Sequence, residues 1–157
     1  MLQRVQSVFL LAASVLMLLV FIWPLASFYS TQSGIMEMYA YKLKIIAATQ
    51  GEISVSPVLT SFISLLAVAT AGVCIYSISL YKNRIRQVKV TRMALVVNIV
   101  FIVVVFALTD YIRKAVNITP EYGTAAFFPV VALMFQLLAM RFIKKDEELV
   151  KSADRLR

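Results

Sequence analysis

Four stretches of the chain carry no charged residue, at positions 5–36, 53–81, 93–109 and 122–140. Each is near or above the roughly 17–25 residues that a helix needs to cross a bilayer. The pattern predicts an all-α membrane protein, a four-transmembrane-helix bundle with spans at about 3–28, 57–81, 93–112 and 125–142, in a single domain over residues 1–157. Pro57 suits a first helical turn, because its missing N–H would have had no partner there. Pro24 should bend or end the first span, and Pro129 should give the fourth a slight kink near its start. The first apolar run is longer than the roughly 7–15 residues of a signal-peptide core and no small-x-small cleavage site closes it, so it reads as retained.

The polar connections carry their own periods. In the first outer loop Tyr39, Tyr41, Leu43 and Ile45 alternate with Met38, Ala40, Lys42 and Lys44, a period of two that suits a strand. With a second short candidate at 115–119, it predicts a small extracytoplasmic β-hairpin or sheet in that loop. The competing reading is an interfacial helix that dips Met36, Tyr39 and Leu43 into the membrane. The end of the chain, 143–157, reads as a cytoplasmic helical tail continuing the fourth span. There Phe142, Leu149 and Leu156 recur at seven-residue spacing beside Ile143, Val150 and Ala153, an apolar seam able to lie on the protein's own inner loop or to dock a partner helix. The i,i+4 pairs Lys144/Glu148 and Glu147/Lys151 support a helix by a few tenths of a kcal/mol each.

Charge supplies orientation. Twelve lysines and arginines fall at the N-terminus, in the connection at 82–92 and in the tail, against Lys42, Lys44, Arg113 and Lys114 on the other side, while the eight acids divide evenly. Positive residues resist translocation, so the basic side should be cytoplasmic and both termini with it. Composition agrees: 61% apolar and 15% charged departs from the ordinary soluble balance of about 45–50% and 25%. The net charge of +8 is accounted for by topology and by attraction to anionic headgroups, so membrane lipids are the expected partners and nucleic acid is not.

Candidate chemistry is sparse. There is no histidine and a single cysteine, Cys74, so the chain lacks ligands for a zinc site or a bis-histidine haem, and no cofactor is expected. Cys74 reads as a small packing residue. No nucleophile elbow, phosphate-cradling glycine loop or HExxH motif occurs, and no enzyme is expected. Asp110 and Arg113, three apart where the third span reaches its outer end, form a candidate polar site; a local pair closing the helix is the plainer reading. Asn98 and Gln136 are candidate interhelical contacts. Ser64, Thr70 and Ser77 should return their hydroxyls to the backbone one turn back. Ala67, Ala71 and Gly72 offer a strip for close approach, which makes the second helix the expected interior element.

Both ends of the chain, Met1–Ala13 and Phe142–Arg157 with Lys145-Asp146-Glu147 and Ala153-Asp154-Arg155-Leu156-Arg157, resemble those of a bacterial family of small four-span inner-membrane proteins known only as a domain of unknown function. The resemblance covers essentially the whole chain and implies a bacterial inner (cytoplasmic) membrane and a four-helix bundle, with no catalytic residue to carry across. If those ends are family features, Arg4, Asp146, Asp154 and Arg155 are candidates for a cytoplasmic docking surface for a protein partner. The expected function is a non-enzymatic accessory or scaffold subunit; the alternative is a carrier or binder of a small lipidic molecule between the helices, with Asp110 and Arg113 at its mouth.

Overall fold

The structure, a computed structural model, describes residues 3–30, 34–45, 57–81 and 83–155. Along the chain run α1 (Gln3–Leu19), β1 (Ala26–Ser30), β2 (Gly34–Met38), β3 (Leu43–Ile45), α2 (Pro57–Ser79), α3 (Arg84–Val116), β4 (Pro120–Tyr122), a 3-10 turn (Thr124–Ala126) and α4 (Phe128–Arg155). The protein is mostly helical. The helices form a ring in which α1 packs on α2, α2 on α3, α3 on α4, and α4 closes back on α1.

The sequence dictates why the ring has two apolar surfaces. On α1, Leu10, Ala13 and Met17 recur at three- and four-residue steps and are fully buried, whereas Val8, Leu11, Val15 and Leu18 on the opposite face are exposed. The same holds for Leu65, Val68 and Ile75 on α2, Val96 and Val103 on α3, and Val131 and Met134 on α4. A helix apolar all round belongs in an apolar solvent as well as in a core. Three helices, α2, α3 and α4, are long and apolar enough to cross a membrane. The apolar α1 is shorter, at 17 residues.

Several boundaries differ from the sequence expectation. The first helix ends at Leu19 rather than 28; Pro24 lies beyond it, and Phe28 is in β1. Nothing polar marks that change, because β1 forms by pairing with β2 and β4 rather than by its own pattern. The third helix starts at Arg84 instead of 93, absorbing most of the expected inner loop: Arg, Gln and Lys are good helix formers, and the Asn83 side chain caps the start by accepting from the Arg86 N–H at 3.3 Å. It runs on to Val116, where Asn117 takes the left-handed conformation (φ 57°) of a helix C-cap. Pro129 sits in the first turn of α4, where no helical hydrogen bond is lost to it. The tail does continue α4, as far as Arg155.

A four-stranded antiparallel sheet, ordered β3-β2-β1-β4, closes one end of the ring. The run at 38–45 is not one strand: the chain reverses within it, Tyr39 N–H donating to Lys42 C=O at 2.8 Å, so that Met38 and Leu43 face each other as partners. The second predicted strand lies at 120–122 instead of 115–119, because α3 occupies 115 and 116. In the register Ala26 faces Met38 and Phe28 faces Met36, and all four are buried. Tyr122, opposite Ala26, stacks its ring 5.2 Å from Phe106 of α3. Ser64 of α2 donates to Ala40 C=O at 2.8 Å, which fixes the turn between β2 and β3 to the bundle. The opposite end gathers the charged beginning of α3 and the charged length of α4. These are called below the sheet end and the basic end.

Candidate functional site

Among the described residues, polar side chains gather in the middle of the ring and towards each of its ends. In the middle, Asn98 of α3 points into the ring and donates through Nδ2 to Pro129 C=O at 3.1 Å and to Gln136 Oε1 at 3.3 Å, both on α4. Gln136 passes its own Nε2 to Cys74 Sγ of α2 at 3.3 Å. All three side chains are wholly inaccessible. The two amides predicted to meet across helices do so, and Cys74, expected only to pack, also accepts a hydrogen bond. Asn98 Oδ1 is left without a partner. Carboxamides neither gain nor lose protons near neutrality, so Asn98 and Gln136 serve to bind α3 to α4 and, through Cys74, α4 to α2.

Nearer the basic end, Ser77 of α2 meets Thr91 Oγ1 of α3 at 2.8 Å rather than returning to its own backbone as expected. Thr70 and Ser64 do return, to Leu66 C=O at 2.8 Å and Thr60 C=O at 3.2 Å. Ala67 and Ala71 are buried, whereas Gly72 is exposed and a side chain there would meet open space. The second helix is one wall of the ring, not its interior.

At the basic end Arg84, in the first turn of α3, reaches Asp146 far along α4. Its Nη2 lies 3.3 Å from Asp146 Oδ2 and its Nη1 donates to the Asp146 backbone carbonyl at 3.1 Å. The two side chains are 26% and 14% exposed. Beside this clamp Phe142 stacks on Phe9 of α1, 5.7 Å between ring centres. Around it Arg86, Lys89, Arg92, Arg141, Lys144 and Lys145 are exposed cations. Asp146 was singled out in the sequence, but its partner Arg84 was missed; the two lie too far apart in the chain for any local signal. The side chains of Arg4, Asp154 and Arg155, and those of the seam residues Leu149, Val150 and Ala153, lie outside the described residues.

At the sheet end Asp110 and Arg113 are joined as predicted, Nη2 to Oδ1 at 2.8 Å, and Lys114 adds a second contact to Oδ2 at 2.8 Å. Asp110 stands 12 residues beyond Asn98 on α3, about 18 Å along the axis, so the two candidate groups are separate. Between them, α2 and α3 leave an apolar groove of about 270 Å³ lined by Leu59, Val104, Ala107, Leu108 and Tyr111. On the sheet, Tyr39 donates to Glu37 Oε2 at 3.1 Å, and that carboxylate holds the phenol above its usual range. Among the described residues no group of histidine, cysteine, aspartate or glutamate is placed to hold a metal ion.

The model of a domain of unknown function, DUF4293, matches residues 2–156. The chain belongs to this family. No curated protein matches it. A single family match across almost the whole chain agrees with a fold in which first and last helices pack together and β1 pairs with β4.

Proposed function

We propose that this DUF4293 protein is a non-enzymatic accessory or scaffold subunit of a bacterial inner membrane, crossing it four times with its basic end in the cytoplasm and docking a protein partner there. The observation that carries this reading is the Arg84–Asp146 clamp. It fixes the start of α3 to α4 beyond their uncharged parts, so that a rigid two-helix projection displays exposed cations from both. A rigid element loses less entropy on binding than a loose tail would. The shorter α1 crosses with its neighbours because the apolar segment after it, through Trp23, lengthens the run, and a short span is accommodated by local thinning of the bilayer.

Carriage of a lipid inside the ring has less support. Phe101, Met17, Leu10, Ile63, Asn98 and Gln136 have no surface accessible to a water-sized sphere, so an acyl chain has no room beside them. Purification of the mildly solubilised full chain from native membranes tests the scaffold reading, compared with chains ending after Lys145, which lacks Asp146, and after Glu148, which keeps it. A stoichiometric protein partner lost from the chain ending after Lys145 and kept by the chain ending after Glu148 is expected. Recovery of the chain alone, with one enriched lipid whichever tail it carries, would overturn the proposal in favour of carriage.

A further inference from the structure

The groove between α2 and α3 has depth: Leu108 at its floor is 6% exposed, while Leu59 and Tyr111 at its edges are 41% and 63% exposed. Its lining on α3 spans Val104 to Tyr111, about 10 Å of helix axis, parallel to the lie of an acyl chain in a bilayer. An apolar groove in lipid selects nothing by itself, because lipid tails are as apolar as leucine. Selection must come from the end of the groove.

Lys114 stands there. It follows Ala107 by seven residues and Tyr111 by three, on the same strip of α3. Its Nζ touches Asp110 at 2.8 Å, and Arg113 takes the other oxygen of that carboxylate. One acid shared by two cations leaves one net positive charge, on an ammonium that is 71% exposed and has donors to spare. Tyr111, exposed on the groove's edge three residues before this cation, is an amphipathic ring of the kind that sits at a bilayer's headgroup level.

We infer that the groove holds one acyl chain of an anionic phospholipid whose phosphate is bound at Lys114. The inference rests on the membrane reading of the chain and adds to it a specific lipid site at the sheet end, separate from the basic end. The Asp110 triad then serves to place the ammonium: Asp110 and Arg113 cancel each other, and Lys114 supplies the charge. A zwitterionic lipid would enter the same groove without preference, because its own ammonium competes for the phosphate.

The test uses the full chain, with Trp23→Phe to remove its only tryptophan, in vesicles of phosphatidylcholine containing brominated phosphatidylglycerol or brominated phosphatidylcholine as contact quenchers. A tryptophan placed by Tyr111→Trp reports on the groove, and one placed by Val131→Trp reports on exposed surface of α4 at the same end of the bundle. The groove reporter should prefer the brominated anionic lipid about fivefold, as one basic residue near a headgroup implies. The α4 reporter should show no preference. Lys114→Gln should abolish the groove preference and Lys114→Arg should retain it, with quenching at the α4 reporter unchanged in both as a check on folding. Equal quenching by the two lipids in the groove, the same preference at both reporters, or a preference that survives Lys114→Gln would overturn the inference. Failure of either brominated lipid to quench either tryptophan would instead sink the membrane reading beneath it.

Discussion

At the basic end an ion pair joins residues of two helices, Arg84 and Asp146, and both side chains are largely buried. At the sheet end Asp110 pairs with cations three and four residues along its own helix, and all three side chains are about half exposed or more. The same chemistry therefore does different work. The first pair is tertiary: it decides how far α3 and α4 stay together outside the apolar region. The second is local and would exist on an isolated helix, so what holds the sheet end must be sought in its backbone, where Gly123 N–H donates to Leu25 C=O at 3.0 Å and strands from distant parts of the chain pair.

Gly123 is the sharpest place to break that contrast. A methyl group on its α-carbon would lie 2.2 Å from the Pro24 carbonyl oxygen, a backbone atom that cannot swing aside. Gly123→Ala should cost about 3 kcal/mol, at the upper end of overpacking effects, by forcing β4 away from the segment before β1. Cys74, buried and the only thiol, gives the measurement: the temperature at which it becomes reactive to a maleimide in detergent should fall by several degrees. An unchanged melt would mean that the sheet end is not held by this close approach.

Asp146→Ala comes next, at about 1 kcal/mol, because the ion pair is lost while the Arg84 hydrogen bond to the backbone carbonyl of 146 stays. Its signature is positional. Amide exchange should accelerate in the part of α4 beyond 142 and stay unchanged in β1 and β2; acceleration in both would show that the ends are coupled, not independent. The smallest effect belongs to Asp110→Asn, which should leave the Cys74 melt almost unmoved, because exposed pairs within one helix add little to stability. A larger loss would make the triad a tertiary lock like the other.

The same division between local and distant partners explains what could be read in the sequence. The bodies of the helices were visible as charge-free runs, and the Asp110–Arg113 pair as a three-residue spacing. Asn98 and Gln136 were found because an amide in an apolar helix needs a partner, and each is the other's nearest solution. The start of α3 was hidden by using absence of charge as the criterion: Arg84, Arg86 and Lys89 are helical all the same. The end of α1 at Leu19 and the start of β1 at Ala26 were illegible because the segment between them is as apolar as the helix, and what makes 26–30 a strand is its pairing with β2 and, over 26–28, with Pro120–Tyr122, contributed from the far side of two helices. Arg84 was missed for the same reason, its partner lying on another helix.

That last strand also imposes an order in time. β1, β2 and β3 are neighbours in sequence and can pair without the rest of the chain, but β1 keeps an open edge until β4 arrives. Because β4 follows α3 directly, that edge is covered only once the third helix is in place, and Gly123 then seats the turn into α4. An open edge is a template for pairing with another chain. Until β4 pairs, the five-residue β1 is that template; afterwards the sheet ends in the three-residue β3 and β4, which offer far less to a neighbour.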